Sequence, residues 1–455
     1  MQDQSVGFRK HPLNIVRVAA LCIILIAPWL YGGALEWTII FITNYLICLT
    51  VAAIIGWLIA CKKPKLDWIH ALTIIVLILG WLASSNPIAI YDDMLMTLFP
   101  LEIPSWRLWL PSTVDAERSV RTMQTLTGLV GLLWIVRDMC ADRFWRSSLF
   151  WTLTLAGCSI AIYGILQKNS GDLWGYWGVK KTGYAFASFW YHANAASFLN
   201  LIWPFVVALS LESFARNKNH FKKALLLAAT LSMISAVLIN VSKAGHLIFA
   251  CLVPLMAVLV LPDFLRTITG RDSVGRYVLI CIASMMAVSL ILAFSLGLDK
   301  TLRRWDEMKM ERFTGDSRYD SAAFCLGELP RAGLTGFGPG TFEPVFLDVG
   351  TTHPEKVPKA RWKFAHQDTL QTMLEWGWIG GSLWISLGVG VCISIFKKMK
   401  KLQNQFFSSR YTFRAAAFTS LIGVALHAQM DFPLQVLGVQ VIVAAVAGFG
   451  TSAAR

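Results

Sequence analysis

The sequence predicts an all-α, polytopic membrane protein. Of its 455 residues, 56% are hydrophobic and only 15% are charged, and the mean hydropathy is +0.56. A soluble domain has about one-quarter charged residues, so composition excludes that class. Apolar runs of about 20 residues, the length that crosses a bilayer as a helix, recur through the chain. We therefore expect one integral membrane domain over residues 1–455, not a soluble domain with a single anchor.

The apolar runs and the Gly, Pro and charged residues between them predict about 12 transmembrane helices. The predicted spans cover residues 13–34, 37–60, 68–85, 119–138, 147–166, 191–212, 222–241, 243–263, 276–298, 367–396, 411–430 and 433–453. The first run follows Arg9 and Lys10 and has Arg17 near its start, and no small-residue cleavage site comes after it. It is therefore expected to remain as a helix.

Lysine and arginine cluster in alternate short connections, which predicts the orientation. The clusters lie within residues 62–65, 137–146, 216–223, 266–276 and 397–401. The positive-inside rule assigns them to the cytoplasmic side and places both termini there. Topology therefore also explains the formal net charge of +14. Because these residues form no single basic patch or basic helix, no nucleic-acid partner is expected.

Three longer connections, residues 86–118, 167–190 and 299–365, fall on the opposite side. The last is the one hydrophilic stretch long enough to hold structure of its own. Within it, residues 316–329 begin with Asp and are followed by Pro330, a pattern typical of a short helix. Residues 333–340 contain four glycines in eight positions and predict a loop dense in turns.

His366 lies where this long loop enters a membrane helix. A histidine at such an interface can exchange a proton near neutral pH. A histidine that is satisfied by a backbone carbonyl is the structural alternative. Glu375 lies further into the same span, about 13 Å along a helix from His366. An acid at that depth needs a partner inside the protein, so a salt bridge or hydrogen bond is expected there in preference to catalysis.

Two cations on the same side of the membrane are candidates for binding phosphate. Arg318 falls in the first turn of the predicted loop helix, where a guanidinium and free amides suit an anion. A solvated pair with Asp316 or Asp320 is the alternative. Lys243 is a lone cation between two apolar runs. The alternative to phosphate binding is that its side chain only extends to the membrane interface. Together with His366, these cations map to the face where a pyrophosphate lipid head would lie.

Two acidic features carry weaker predictions. Asp92 and Asp93 are adjacent acids in a loop, which can hold a divalent ion but are more often solvated, so no metal site is expected. Asp431 and Pro433 mark a tight turn, with His427 about one helical turn earlier. A structural role is expected for both Asp431 and His427.

The order of these motifs resembles that of the O-antigen ligase and polymerase superfamily, which transfers lipid-linked glycans. The elements are Ser242-Lys243-Ala244-Gly245, Arg318 with Gly336-Phe-Gly338-Pro-Gly340-Thr-Phe342, and His366 with Leu370, Glu375, Gly377 and Gly380. Residues 191–204, which include Asn194, and Asp431-Phe-Pro-Leu are also similar to family segments. The resemblance covers residues 185–450. Lys243 stands where the family usually has arginine, and lysine lacks the bidentate fork.

The resemblance implies a GT-C-like membrane enzyme in the bacterial inner membrane with a periplasmic active site. It implies transfer of a glycan from undecaprenyl pyrophosphate to an acceptor hydroxyl, with inversion and without a metal or other cofactor. Arg318 and Lys243 would neutralise the pyrophosphate, and His366 would accept or orient the hydroxyl proton. The implied supporting residues are Asn194, Arg303, Arg304, Arg361 and Glu375.

The acceptor distinguishes two family activities. Lipid A core as acceptor makes a ligase, which we favour, and a second lipid-linked glycan makes a polymerase of O-antigen, capsule or exopolysaccharide. A transporter of polysaccharide or lipid is an alternative from another class. Transporters often show inverted repeats and helices broken near the membrane midplane. The sequence shows no internal repeat, and its polar candidates gather at one interface.

Overall fold

The computed structural model describes residues 13–61, 66–170, 185–216, 219–269, 317–353, 362–402 and 408–453. Most of these residues are helical. The helices are α1 (Leu13–Ile26), α2 (Glu36–Ile59), α3 (Trp68–Ser84), α4 (Ala116–Met139), α5 (Arg143–Ser170), α6 (His192–Arg216), α7 (His220–Ile239), α8 (Lys243–Thr269), α9 (Ser317–Ala332), α10 (Phe342–Thr352), α11 (Asp368–Lys400), α12 (Ser409–His427) and α13 (Leu437–Thr451). Strands β1 (Ala89–Asp92) and β2 (Thr97–Pro100) form an antiparallel hairpin between α3 and α4.

Eleven of the twelve predicted spans coincide with a described helix, and the span predicted at 276–298 lies outside the described residues. Among the described helices, seven are long and apolar enough to cross a membrane, namely α2, α4, α5, α6, α7, α8 and α11. Helices α1, α3 and α13 are apolar but shorter. Helix α12 carries Arg410 and Arg414 in its first turns. The chain is thus a helical protein built to be embedded in a membrane.

The first predicted span ends earlier than expected. Helix α1 stops at Ile26, and Pro28 and Gly32 lie in two short 3-10 turns that follow it. Gly32 has φ +65°, and a Cβ atom there would lie 2.6 Å from the ring of Phe189. The prediction of one helix over residues 13–34 is therefore wrong, because a long-range contact with this ring requires a left-handed glycine.

Helix α6 is the centre of the bundle and contacts α5, α7, α8 and α12. Its buried residues face neighbours on all sides. Aromatic packing joins the elements around it: the ring of Phe150 in α5 stacks on Phe413 in α12 at 3.9 Å and meets Phe449 in α13 edge-on at 4.8 Å. A helix enclosed in this way needs apolar residues all round, which explains why its sequence shows no polar face.

Helix α11 gives the bundle two distinguishable ends. We call the end at which α11 begins the His366 end, and the opposite end the Lys400 end. At the Lys400 end, Asp67 caps α3 and forms an ion pair with Arg137 of α4. Burial raises the pKa of Asp67, but hydrogen bonds and the charge of Arg137 outweigh it and hold that pKa well below its usual value.

At the His366 end, described residues of the connections 86–118 and 299–365 pack together. We call them the loop unit (residues 86–115, 317–353 and 362–365). Its apolar centre includes Phe324, Phe342 and Phe346, with the first and last rings 5.1 Å apart. The hairpin joins this unit through the Leu98 amide, which donates to Asp348 Oδ1 at 2.8 Å. Because two separate loops cover each other, each can bury apolar residues that neither could bury alone.

Two details of the loop unit differ from the sequence predictions. The hairpin departs from the all-α prediction, because strands of four residues are too short to show a clear alternation. The loop helix, α9, extends to Ala332 and contains Pro330, whereas the sequence predicted an end at residue 329. Proline removes one helical hydrogen bond without ending the last turn.

Candidate functional site

Helix α11 is broken at Gly377, which has φ +64° and ψ −172°. The break lies about 14 Å along the helix from its first residue. The glycine-rich segment, residues 333–340, fills it and is called the glycine turn below. Four hydrogen bonds join the two segments: Phe337 N to Leu374 O at 3.1 Å, Gly338 N to Glu375 O at 2.9 Å, Trp378 N to Gly333 O at 3.2 Å, and Ile379 N to Leu334 O at 3.0 Å. Backbone groups freed inside an apolar bundle are therefore satisfied by protein.

Close backbone approach explains the glycines in both segments. A Cβ atom on Gly336 would lie 2.5 Å from the backbone nitrogen of Gly377, and a Cβ atom on Gly377 would overlap the backbone of Leu334. Gly338 packs equally closely on the other side, where a Cβ would lie 2.6 Å from the Cβ of Thr113, just before α4. The glycine turn is thus held between α11 and the start of α4.

The carboxylate of Glu375 completes this junction. It is buried, and it accepts hydrogen bonds from the Gly340 amide at 2.9 Å, the Phe342 amide at 3.3 Å and the Gln371 side chain at 2.9 Å. Hydrogen bonds of this kind meet the needs of an acid at membrane depth. Glu375 therefore anchors the glycine turn and the start of α10 to α11.

His366 lies between the loop unit and α11, with its Nδ1 atom 2.9 Å from Oδ1 of Asp431. The Asp431 side chain is fully buried, whereas 17% of the His366 side chain is exposed. The ring of His366 meets Trp362 and Phe432 edge-on, at 4.4 Å and 4.5 Å. The distance is that of an ion pair, but Nδ1 forms no hydrogen bond with the residues that the structure describes.

The backbone of His366 is itself unusual. Its φ is +54°, in the left-handed region that residues other than glycine seldom occupy. Such a conformation costs about 1 kcal/mol or more and persists where surrounding contacts enforce it. The contacts with Trp362, Phe432 and Asp431 enforce it here. The imidazole is therefore held in one place instead of moving with the loop.

Asp368, the first residue of α11, ties His366 to the turn that carries Asp431. Its carboxylate accepts from the Leu434 amide at 2.8 Å and the Gln435 side chain at 3.1 Å. Its own amide donates to the Ala428 carbonyl at 2.8 Å. These bonds lock the α12–α13 turn against the start of α11. The separation of His366 and Asp431 is therefore set by both elements.

Arg318 occupies the first turn of α9, and its side chain lies outside the described residues. One turn later, the hydroxyl of Ser321 donates to the carbonyl of Ala365 at 3.0 Å. The start of α9 therefore packs against the residue that precedes His366. Arg303, Arg304 and Arg361 lie outside the described residues.

Lys243 is the first residue of α8 and is half-buried, and no acidic side chain in the described ranges forms an ion pair with it. The α7–α8 junction just before it is joined to α6, since Asn240 donates to the His192 carbonyl at 3.0 Å. The neighbouring Tyr191 ring lies 6.3 Å from the His366 ring. Lys243 and His366 therefore share one end of the bundle.

Asn194 lies in the first turn of α6 at this same end and is buried. Its Oδ1 atom accepts no hydrogen bond from the residues that the structure describes. A buried amide oxygen of this kind is costly unless something occupies it. Asn194 is thus a buried polar residue at the His366 end whose amide oxygen has no described hydrogen-bond partner.

The carboxylates of the adjacent acids Asp92 and Asp93 contact other protein groups. Asp92 accepts the amides of Met94 and Leu95 in the hairpin turn, at 2.8 Å and 3.0 Å. Asp93 pairs with Arg118 at 3.1 Å. The same guanidinium also binds two further carboxylates, those of Asp115 at 3.1 Å and Glu343 at 2.7 Å. Within the described ranges, no group of three or more His, Cys, Asp or Glu side chains is arranged to hold a metal ion.

The sequence missed the relationship between Asp431 and His366. Asp431 was expected to shape a turn, and the signal that could have assigned it a role is its place in Asp431-Phe-Pro-Leu, a segment with family resemblance. It also missed Arg118, whose three carboxylate partners come from the hairpin, the start of α4 and the start of α10. No protein-family model and no curated protein sequence matches the chain.

Proposed function

We propose that this chain is a membrane glycosyltransferase of the O-antigen ligase type, which moves a glycan from undecaprenyl pyrophosphate to an acceptor hydroxyl. The observation that carries the proposal is the partly exposed His366 beside the buried Asp431 at the end of a membrane helix. A histidine held by a buried carboxylate is an arrangement suited to general base catalysis. We further propose that this end faces the periplasm of a bacterial inner membrane and that the fold is GT-C-like.

The orientation of the imidazole suggests the path of the proton. Nδ1 faces Asp431, so Nε2 is the atom left to take a proton from the acceptor hydroxyl. The negative charge of the carboxylate, 2.9 Å from Nδ1, stabilises the imidazolium that then forms. The acceptor oxygen attacks the anomeric carbon from the face opposite the pyrophosphate. The bond from that carbon to the pyrophosphate oxygen breaks, its electron pair stays on the oxygen, and the anomeric configuration inverts.

Cations stabilise the pyrophosphate as it leaves. Arg318 and Lys243 are our candidates, since the start of α9 packs beside His366 and the start of α8 lies at the same end of the bundle. Charge stabilisation of this kind is often the largest single contribution to catalysis. Asn194 is our candidate for a supporting residue at the same end, since its buried amide oxygen accepts no hydrogen bond from the described residues. Protein cations take the place of a metal in this mechanism.

A polymerase of O-antigen, capsule or exopolysaccharide has the same donor chemistry and remains the alternative. A transporter fits less well, although α11 is broken as transporter helices often are. In transporters the freed backbone groups bind the cargo. Here the carbonyls of Leu374 and Glu375 and the amides of Trp378 and Ile379 are already bonded to the glycine turn. The break therefore serves packing.

The proposal is tested by incubating the purified protein with an undecaprenyl-pyrophosphate-linked glycan and separate acceptors. Glycan joined to lipid A core identifies a ligase, and lengthening of the lipid-linked glycan identifies a polymerase. Movement of the donor between the leaflets of sealed vesicles without any new glycosidic bond would contradict both and support a transporter.

A further inference from the structure

A second polar site lies at the Lys400 end, far from His366. It is a cavity of about 640 Å³ between α5, α6, α7, α12 and α13. Six cationic residues and one acid, Glu212, are among the described residues that line it. The cations are Arg143, Arg146, Arg216, Lys222, Arg410 and Arg414. A cavity with such an excess of positive charge attracts an anion.

Two of these arginines are built into the protein with neutral partners. Arg414 is buried and donates to the carbonyls of Gly450 at 2.6 Å and Ser452 at 3.3 Å. Arg146 donates to the carbonyl of Cys140 at 3.0 Å. Neither arginine forms an ion pair with a described carboxylate. Carbonyls orient the guanidinium groups but leave their charges uncompensated, which is costly at a buried position unless an anion binds.

The remaining cations leave room for a ligand. Arg143 and Arg410 are exposed at the first turns of α5 and α12. Lys222 lies over the ring of Trp151 at 5.1 Å, which holds its ammonium near the cavity. Exposed charged groups at the edge and hydrogen-bonded ones inside are the arrangement expected of an anion site.

The cavity also has an apolar part. The side chains of Phe150, Leu209, Phe413 and Phe449 line it together with the arginines. A free phosphate ion gains nothing from contact with an apolar surface. The glycerol and upper acyl chain of a phospholipid are stabilised by such contact. The site lies at the ends of membrane helices, which is the level of lipid headgroups. Basic pockets between membrane helices are where anionic headgroups bind.

We propose that this cavity binds the phosphodiester headgroup of an anionic membrane phospholipid, with the phosphate between the arginines and the glycerol against the phenylalanine rings. Helix α12 separates the cavity from the turn that carries Asp431 by about 28 Å. The bound lipid is therefore not the glycan donor proposed for the His366 end. It joins α5, α6 and α12 at a place where their own charges repel one another.

The test uses the full chain purified in zwitterionic nanodiscs and titrated with phosphatidylglycerol, cardiolipin or inorganic phosphate. Binding is measured by native mass spectrometry and by the thermal unfolding midpoint. The variant is R143Q/R410Q, because both side chains are exposed and form no hydrogen bond among the described residues. The control is K397Q/K400Q, which removes two charges at the same end from residues that do not line this cavity.

We expect wild-type protein and the control to bind anionic phospholipid and to unfold at a higher temperature when it is present. R143Q/R410Q should bind it at least tenfold more weakly, since each cation near a headgroup contributes about fivefold. Equal loss in the control, or equal binding by all three proteins, would overturn the proposal. Inorganic phosphate that raises the unfolding midpoint and displaces the lipid at equal concentration would identify a soluble anion as the ligand instead.

Discussion

The Nδ1 atom of His366 and the Oδ1 atom of Asp431 lie 2.9 Å apart, although His366 precedes α11 and Asp431 lies in the turn between α12 and α13. Their separation is fixed by Asp368, which binds the turn after Asp431 through the Leu434 amide and the Gln435 side chain. The pair therefore joins the loop unit to the C-terminal helices at one point. This relationship gives the first prediction.

Asp431→Asn should lower the rate of glycan transfer by about 10²-fold or more while leaving donor binding intact, because the amide no longer stabilises the imidazolium. The measurement is single-turnover transfer beside donor binding by the same preparation. Asp368→Asn is the comparison, since it weakens the contacts that position the turn but leaves the carboxylate of Asp431 in place. A greater loss of transfer in Asp368→Asn than in Asp431→Asn would count against a role for Asp431 in proton transfer.

Gly377→Ala should destabilise the protein by about 2 kcal/mol or more, because alanine is strained at φ +64° and its Cβ would overlap the glycine turn. Gly388→Ala is a matched control in the same helix, since nothing lies within 4 Å of a Cβ there. Alanine favours a helix over glycine by about 1 kcal/mol, so this variant should be as stable as wild type or more so. Thermal unfolding in detergent distinguishes the two, and equal midpoints would contradict the backbone pairing.

Glu375→Ala should also destabilise the protein, by about 2 to 4 kcal/mol, because it leaves the amides of Gly340 and Phe342 buried without acceptors. Glu375→Gln keeps one carbonyl oxygen and should lose less. The readout is the unfolding midpoint together with protease resistance of the loop unit. If Glu375→Ala were as stable as wild type and lost only turnover, the carboxylate would instead have a chemical role.

Lys243→Ala should weaken donor binding and transfer, and Lys243→Arg should retain most of both, because charge matters here before hydrogen-bond geometry. Loss of one phosphate contact is expected to change donor affinity by about tenfold. Lys223→Ala, at the other end of α7, is the control. Wild-type donor affinity in Lys243→Ala would remove this residue from the pyrophosphate site.

The helices were predictable because each depends on its own apolar run, and the ends of α2, α3 and α7 fall within two residues of the predicted ends. The break in α11 was not predictable. Glu375 and Gly377 can be read directly from the sequence. The segment that replaces the helical hydrogen bonds around them, however, is more than 30 residues away along the chain. Local patterns cannot show which distant backbone fills such a gap.

Individual residues of the candidate site could be predicted, but their contacts could not. The sequence indicates His366 by its place where a loop enters a membrane helix and Glu375 by its depth, and Glu375 has the internal hydrogen bonds expected of it. The place of Asp431 beside His366 depends on how α12 and α13 fold back on α11, which no spacing along the chain encodes. The roles of Arg318 and Lys243 in binding the donor remain predictions.

The most direct test of the proposed function is glycan transfer by His366→Ala with purified undecaprenyl-pyrophosphate donor, with chelator present and no added metal. We expect wild-type protein to transfer glycan under these conditions and His366→Ala to be slower by about 10² to 10⁴-fold, with expression and donor binding nearly unchanged. A structural histidine predicts reduced expression instead, with recovery of transfer in His366→Gln through hydrogen bonding. Full transfer by His366→Ala, or loss of wild-type transfer on adding chelator, would contradict the mechanism.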